Sequence, residues 1–135
     1  GDYQLSLTFR QYQPTNSHFV MPRITANETN NLIANEQSNI IVSLALQQNL
    51  SHNPAVDWWI SATTNTGEQF SYVYPEGWKS GEFRTIANPL LDIPTFEIFN
   101  GTLAKGSYTL NFCIDNNLDN IKNCTWEDSA TIEIE

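Results

Sequence analysis

Apolar and polar residues alternate along much of this 135-residue chain, and this period of two constrains the fold more than any other feature. Successive side chains of a β-strand point to opposite faces, so alternation predicts strands that bury one face. The clearest runs, with their apolar positions, are 3–9 (Tyr3, Leu5, Leu7, Phe9), 40–46 (Ile40, Val42, Leu44, Leu46), 56–62 (Val56, Trp58, Ile60, Ala62), 107–115 (Tyr108, Leu110, Phe112, Ile114) and 130–134 (Ala130, Ile132, Ile134). Helical periodicity is almost absent, so the chain is predicted to be all-β.

Turn-forming residues separate these runs at short intervals. Residues 64–67 (Thr-Asn-Thr-Gly), 100–101 (Asn-Gly) and 105–106 (Lys-Gly) are typical of tight turns between strands. About seven to nine antiparallel strands at this spacing are the pattern of a β-sandwich. We expect one domain over residues 1–135, in which the polar stretch 14–38 is either an extended loop or carries a weak extra strand.

The first thirteen residues leave two interpretations open. Residues 1–13 are long and sharply alternating, and a long polar stretch follows them. The segment is either the first strand of its own sheet or an exchanged donor strand that completes the sheet of a neighbouring molecule.

Charge and composition restrict the partners. Fifteen acidic residues against six basic ones give a formal net charge of −9. Nucleic acids and anionic membranes are bound by clustered Lys and Arg, so we expect neither as a partner. No apolar run approaches the ~20 residues that span a bilayer, and no signal segment precedes the first alternating run, which we interpret as a mature N-terminus. Calcium and neutral glycans are better suited to this charge.

The only two cysteines, Cys113 and Cys124, lie at the two ends of a polar loop. A disulfide between them would indicate an oxidising compartment and therefore an extracellular or cell-surface location. The alternative is a pair of free thiols in a cytosolic protein. Because Phe112 and Ile114 are the inward positions of this strand, Cys113 is predicted to point outward, so the disulfide would be a surface staple across the hairpin. Closing a loop of this length stabilises by roughly 3 kcal/mol in the chain-entropy model.

The loop between the cysteines has the ligand spacing of a calcium site. Asp115, Asn117 and Asp119 alternate as D-x-N-x-D, and the carbonyl of Ile121 would supply a further oxygen. The bidentate acid expected at the twelfth position is replaced by Trp126. The alternative is a polar hairpin whose Asp and Asn side chains bond their own backbone.

The C-terminal part of the chain, which includes this loop, resembles a known family. The runs 103–112 (LAKGSYTLNF), 115–119 (DNNLD) and 128–132 (DSATI) look like the last hairpin of an immunoglobulin-like domain of bacterial secreted and surface proteins, where "GxYTFYFGVDxNxNG…DSVxVxV" is typical. Residues 57–59 and 72–78 are similar to the middle of the same domains. The resemblance covers roughly residues 56–134 and implies an immunoglobulin-like β-sandwich, with no activity attached.

The chain departs from the family pattern at two points. Cys113 and Cys124 bracket the loop, and Asn120 stands where the pattern often has Gly. Asn tolerates the left-handed backbone, so a tight turn remains compatible with this sequence. Tyr108, near the start of its strand, is either the corner tyrosine of Greek-key sandwiches or an ordinary core aromatic.

Four aromatic residues offer a second kind of site. Trp59 has the opposite parity to Trp58 and is expected to face outward, where it could form a sugar-stacking surface with Tyr72, Tyr74 and Trp78. The alternative is that these rings pack under the irregular segment 78–95.

Catalytic signals are weak. His18 and His52 lie in Asn-rich loops, with no Cys or carboxylate at metal-ligand spacing, and no nucleophile, zinc-protease or phosphate-loop motif occurs. We therefore expect no enzymatic activity. The sequence predicts an extracellular structural or adhesive subunit of the cell surface that could assemble with itself or with other surface proteins into a fibre or pilus-like appendage. The alternatives are a carbohydrate-binding module and a passive spacer domain.

Overall fold

The computed structural model describes residues 19–50 and 54–135, and these residues form ten β-strands and no helix. The predicted strand over residues 3–9, the segment 1–13, His18 and His52 lie outside the described residues. No described segment is therefore a helix that could span a membrane. The strands are β1 (Val20–Ala26), β2 (Asn31–Ala34), β3 (Ile40–Gln48), β4 (Ala55–Thr64), β5 (Gln69–Val73), β6 (Gly77–Ser80), β7 (Ile86–Pro89), β8 (Ile93–Gly101), β9 (Gly106–Asp115) and β10 (Trp126–Ile134).

Two unequal sheets form an immunoglobulin-like β-sandwich, so the predicted fold class is confirmed. The smaller sheet has the order β1-β3-β8. The larger sheet has the order β2-β10-β9-β4-β5-β6, and β7 also pairs with β4. The described strands number ten, more than the seven to nine expected, because short strands form in segments without a clear alternation. One pair, β2 with β10, is parallel, whereas the expected strands are all antiparallel.

The Asn-rich stretch 14–38 carries two strands in its described part, so its interpretation as an extended loop is wrong there, and the alternative of an extra strand is confirmed with two strands in place of one. β1 joins the smaller sheet and β2 joins the larger one. Between them, Asn27 and Glu28 have positive φ angles of 48° and 66°, which reverse the chain. The Asn30 side-chain amide then donates to the carbonyls of Ile24 in β1 and Ser129 in β10, at 2.9 and 3.1 Å. These bonds hold the crossing point between the two sheets.

The core lies between the inner faces of the two sheets and contains most of the positions that alternation predicts, together with Val20, Ile24 and Ala26 of β1 and Leu90. Trp58 and Phe112, from neighbouring strands, place their ring centroids 5.8 Å apart within it. Tyr108 packs at its margin and donates its hydroxyl to the carbonyl of Ala104 at 2.7 Å, the hydrogen bond of a corner tyrosine. The predicted core residues that are buried are Ile40, Val42, Leu44, Leu46, Val56, Trp58, Ile60, Leu110, Phe112, Ile114, Ala130, Ile132 and Ile134.

Candidate functional site

The disulfide between Cys113 and Cys124 is present, with the two Cα atoms 5.4 Å apart. Cys113 lies in β9, opposite Trp59 of β4, and is not part of the core between the sheets, as its parity predicts. Its predicted exposure is wrong, however, because Cys113 is 0% exposed. The disulfide is therefore half-embedded, with Cys113 buried against the outer face of the larger sheet and Cys124 only partly buried.

The outer face of β4 is buried because two segments are bonded to it there. Asp57, which is 0% exposed, accepts the backbone N–H of Asn120 in the cystine loop at 2.8 Å through one carboxylate oxygen. Its other oxygen accepts a hydrogen bond from Nη1 of Arg84 at 2.9 Å, and Arg84 precedes the β7 segment. One carboxylate thus ties both segments to the sheet, and the loop lies over the face that alternation predicts to be solvent-exposed.

Three carboxylates meet under this loop. Asp57 and Asp115 are opposite each other on β4 and β9, and Asp119 comes from the loop itself. Oxygen atoms of the three lie within 4.8 Å of one another. Asp57 and Asp115 are fully buried and Asp119 is exposed, so the cluster is open to solvent on one side. Three close negative charges repel one another, and Arg84 contacts one of them, so a bound cation would relieve the repulsion.

The same carboxylates bond the backbone of the loop. Asp115 accepts the N–H of Asn117 at 2.9 Å and that of Asn123 at 3.1 Å, and Asp119 accepts the N–H of Ile121 at 3.1 Å. These are the backbone bonds of the alternative interpretation, a polar loop shaped by its own side chains. They do not compete with a metal, because each carboxylate oxygen has more than one lone pair. They hold the loop in the shape that brings the three acids together.

Two of the four residues predicted as calcium ligands contribute oxygen atoms to this cluster. Asp115 and Asp119 are in it, whereas the contacts of Asn117 and Ile121 involve their backbone N–H groups and not the oxygens predicted as ligands. Sequence reasoning missed Asp57, which lies 58 positions before Asp115 and belongs to no local motif. Its signal was an acid at a strand position next to two tryptophans, which becomes a ligand candidate only once the pairing of β4 with β9 is known.

The four aromatic residues do not form one exposed surface. Trp59 is 6% exposed, so the prediction that it faces solvent is wrong. Tyr72 and Trp78 contact each other edge to face, with ring centroids 5.6 Å apart, and both pack against the core. Trp78 also donates Nε1 to the carbonyl of Ile98 at 2.9 Å, and Tyr74 is half-exposed. Burial, together with the neighbouring Tyr74, raises the pKa of Tyr72.

The chain matches no protein-family model and no curated protein.

Proposed function

We propose that this chain is a non-catalytic, extracellular structural or adhesive subunit of the cell surface, and that its cystine loop binds calcium. The observation that carries the proposal is the Cys113–Cys124 disulfide, which closes the loop over the buried carboxylates of Asp57 and Asp115. Disulfides persist in oxidising compartments such as the periplasm, the cell surface and the extracellular medium. Extracellular modules bind calcium at about 10⁻⁴ to 10⁻³ M, the range in which such a partly exposed site would operate.

Calcium has a structural role in this proposal. Carboxylate oxygens are ligands that a hard cation prefers, and Asp57, Asp115 and Asp119 offer them from two strands and one loop. A bound ion would fix the loop on the sheet in the same way as the Asn120 hydrogen bond does. A stiff loop on a stiff sandwich suits a domain that carries load or contacts other surfaces outside the cell.

The burial of Trp59 weakens the carbohydrate-binding alternative. With Trp59 buried, the stacking surface would be reduced to Tyr74 and the edges of Tyr72 and Trp78. Nothing in the arrangement of these rings favours a sugar over the packing role.

The location is tested in cells that produce the protein. Intact cells are treated with a membrane-impermeant biotinylation reagent, and the thiols are alkylated before and after reduction under denaturing conditions. We expect the protein to be labelled on intact cells and to expose two thiols only after reduction. A protein that is protected in intact cells and already has two free thiols would contradict the proposal.

A further inference from the structure

The smaller sheet ends at β8, and one side of this strand is open. β8 pairs with β3 along one edge, and no other strand among residues 19–50 and 54–135 pairs with its second edge. In the larger sheet, Tyr72 of β5 and Ile86 of β7 line an open space together with Ile93 and Phe96 of β8. A strand edge next to an uncovered apolar face is a site for the addition of another strand.

An apolar groove of about 320 Å³ lies along this open edge. Its floor includes Trp58 and Ile60 of β4, and Phe96 of β8 forms part of its wall. Leu91, Tyr74 and Phe96 line it while remaining 44%, 50% and 40% exposed. At the far end, the Trp78 side chain bonds the carbonyl of Ile98, so the groove is open along the first part of β8, from Ile93 to Glu97.

We propose that residues Leu5–Phe9 of the same chain occupy this groove as a fourth strand of the smaller sheet, antiparallel to β8. Leu5, Leu7 and Phe9 alternate with Ser6 and Thr8 in the sequence. In a strand at this edge, the three apolar side chains would enter the groove and the two hydroxyl side chains would face solvent. The five residues from Leu5 to Phe9 match the five open positions from Ile93 to Glu97.

The direction follows from where β1 begins. Val20 pairs with Gln48 and Ile93 pairs with Leu46, so β1 and β8 start at the same end of the smaller sheet. A strand antiparallel to β8 would end at this same end, and the chain would then need to cross only three strand spacings, about 15 Å, to reach β1. Residues 10–18 provide nine residues, which can span about 30 Å.

The short connection also decides between the chain's own segment and that of a second molecule. A segment tethered by nine residues has an effective concentration of about 1 mM at a site within its reach. A second copy would compete only when its own concentration approaches that value. The groove is therefore filled from within the chain, and exchange between molecules would require that this pairing be opened first.

The test uses the full-length purified protein and two matched double variants. Leu5→Asp with Leu7→Asp places two charges in the groove, and Ser6→Asp with Thr8→Asp places the same charges on the opposite face. Hydrogen exchange of peptides covering β8 is measured by mass spectrometry. We expect about tenfold faster exchange at residues 93–97 in the first variant and wild-type exchange in the second. Phe96→Asp, which changes the groove itself, should reproduce the first variant. Exchange of β9, away from the groove, reports whether each variant is folded.

Size-exclusion chromatography with light scattering decides which molecule supplies the strand. A monomeric wild type whose β8 protection depends on Leu5 and Leu7 supports the proposal. A wild-type oligomer that the Leu5/Leu7 variant converts to monomers would overturn it in favour of strand exchange. Equal β8 exchange in wild type and both variants would overturn it as well, because the groove would then not depend on this segment. These outcomes do not depend on where the protein is located in the cell.

Discussion

Asp57 of β4 accepts the backbone N–H of Asn120, 63 residues later in the chain, at 2.8 Å. Asn120 has a positive φ of 58°, which turns its N–H back toward the sheet. This hydrogen bond joins the cystine loop to β4, whereas the disulfide at Cys113 and the hydrogen bonds to Asp115 join it to β9. Because Asp57 is also one of the three clustered carboxylates, the attachment of the loop and the proposed binding of calcium would depend on the same side chain.

Arg84→Met should destabilise the protein by about 3 kcal/mol in the presence of a chelator. The substitution removes the guanidinium that pairs with Asp57 and leaves a fully buried carboxylate uncompensated. With calcium added, the loss should be smaller, because the ion replaces part of the missing positive charge. The measurement is urea unfolding of wild type and variant in both conditions.

Lys79→Met is the matched control for this experiment. Lys79 forms an ion pair with Glu76, but both side chains are about half-exposed. Exposed pairs contribute at most about 1 kcal/mol, so the control should unfold close to wild type in both conditions. An Arg84 variant that loses the same stability with and without calcium would contradict a shared role for Asp57.

Calcium should raise the unfolding temperature of the wild type, and Asp119→Asn should reduce this rise. A ligand at ten times its Kd stabilises by about 1.4 kcal/mol. Asp119 is exposed, and Asn keeps an oxygen that accepts the N–H of Ile121, so the variant should retain wild-type stability in chelator. Asp92→Asn, an exposed acid outside the cluster, serves as the control. A wild type that melts at the same temperature in calcium and in chelator would leave only the role of these acids in shaping the loop.

The inner face of the sandwich was predictable from the sequence, whereas the outer face was not. Alternation in β3, β4 and β9 identifies the residues between the sheets, because the side-chain period of a strand is fixed. The same alternation places Trp59 and Cys113 on the opposite face, and nothing local indicates that the cystine loop will fold back over them. The loop is bonded to that face through Asp57 and Asn120, a contact between distant parts of the chain.

The alternation of β1 is present in the sequence itself. Val20, Pro22, Ile24 and Ala26 alternate in β1 and are all buried. The surrounding Asn residues obscured this run. The parallel pairing of β2 with β10 has no comparable signal, since β2 is only four residues long and none of them is buried.

Native protein should resist reduction of its disulfide. Cys113 is 0% exposed, so a thiolate must attack Cys124 or wait for the loop to open. With dithiothreitol, we expect reduction to be at least about tenfold slower in buffer than in denaturing urea, and the Cys113→Ala, Cys124→Ala double variant to be roughly 3 kcal/mol less stable than the oxidised wild type. Thiol release is followed by alkylation and mass spectrometry. Equally fast reduction in both conditions would show that the loop opens freely in solution.

Stability should fall as the pH rises above about 10, and part of this loss should come from Tyr72. Burial, together with the neighbouring Tyr74, raises the pKa of Tyr72, and burial with nearby Glu68 and Glu36 raises the pKa of Tyr108. In the unfolded chain a tyrosine loses its proton near pH 10. Each raised pKa therefore contributes stability that is complete below pH 10 and is lost as the pH rises through the folded value.

The two tyrosines can be separated by substitution with Phe. Tyr72→Phe should flatten the fall in stability above about pH 10 and leave stability at pH 8 nearly unchanged, since no hydrogen bond of its hydroxyl is among the described contacts. Tyr108→Phe should flatten it too, but should also cost about 1 kcal/mol at pH 8, because it removes the hydroxyl that bonds the Ala104 carbonyl. Urea unfolding from pH 8 to 11 and absorbance titration of tyrosinate measure both effects. A Tyr108→Phe variant as stable as wild type at pH 8 would show that the corner bond contributes nothing to the fold.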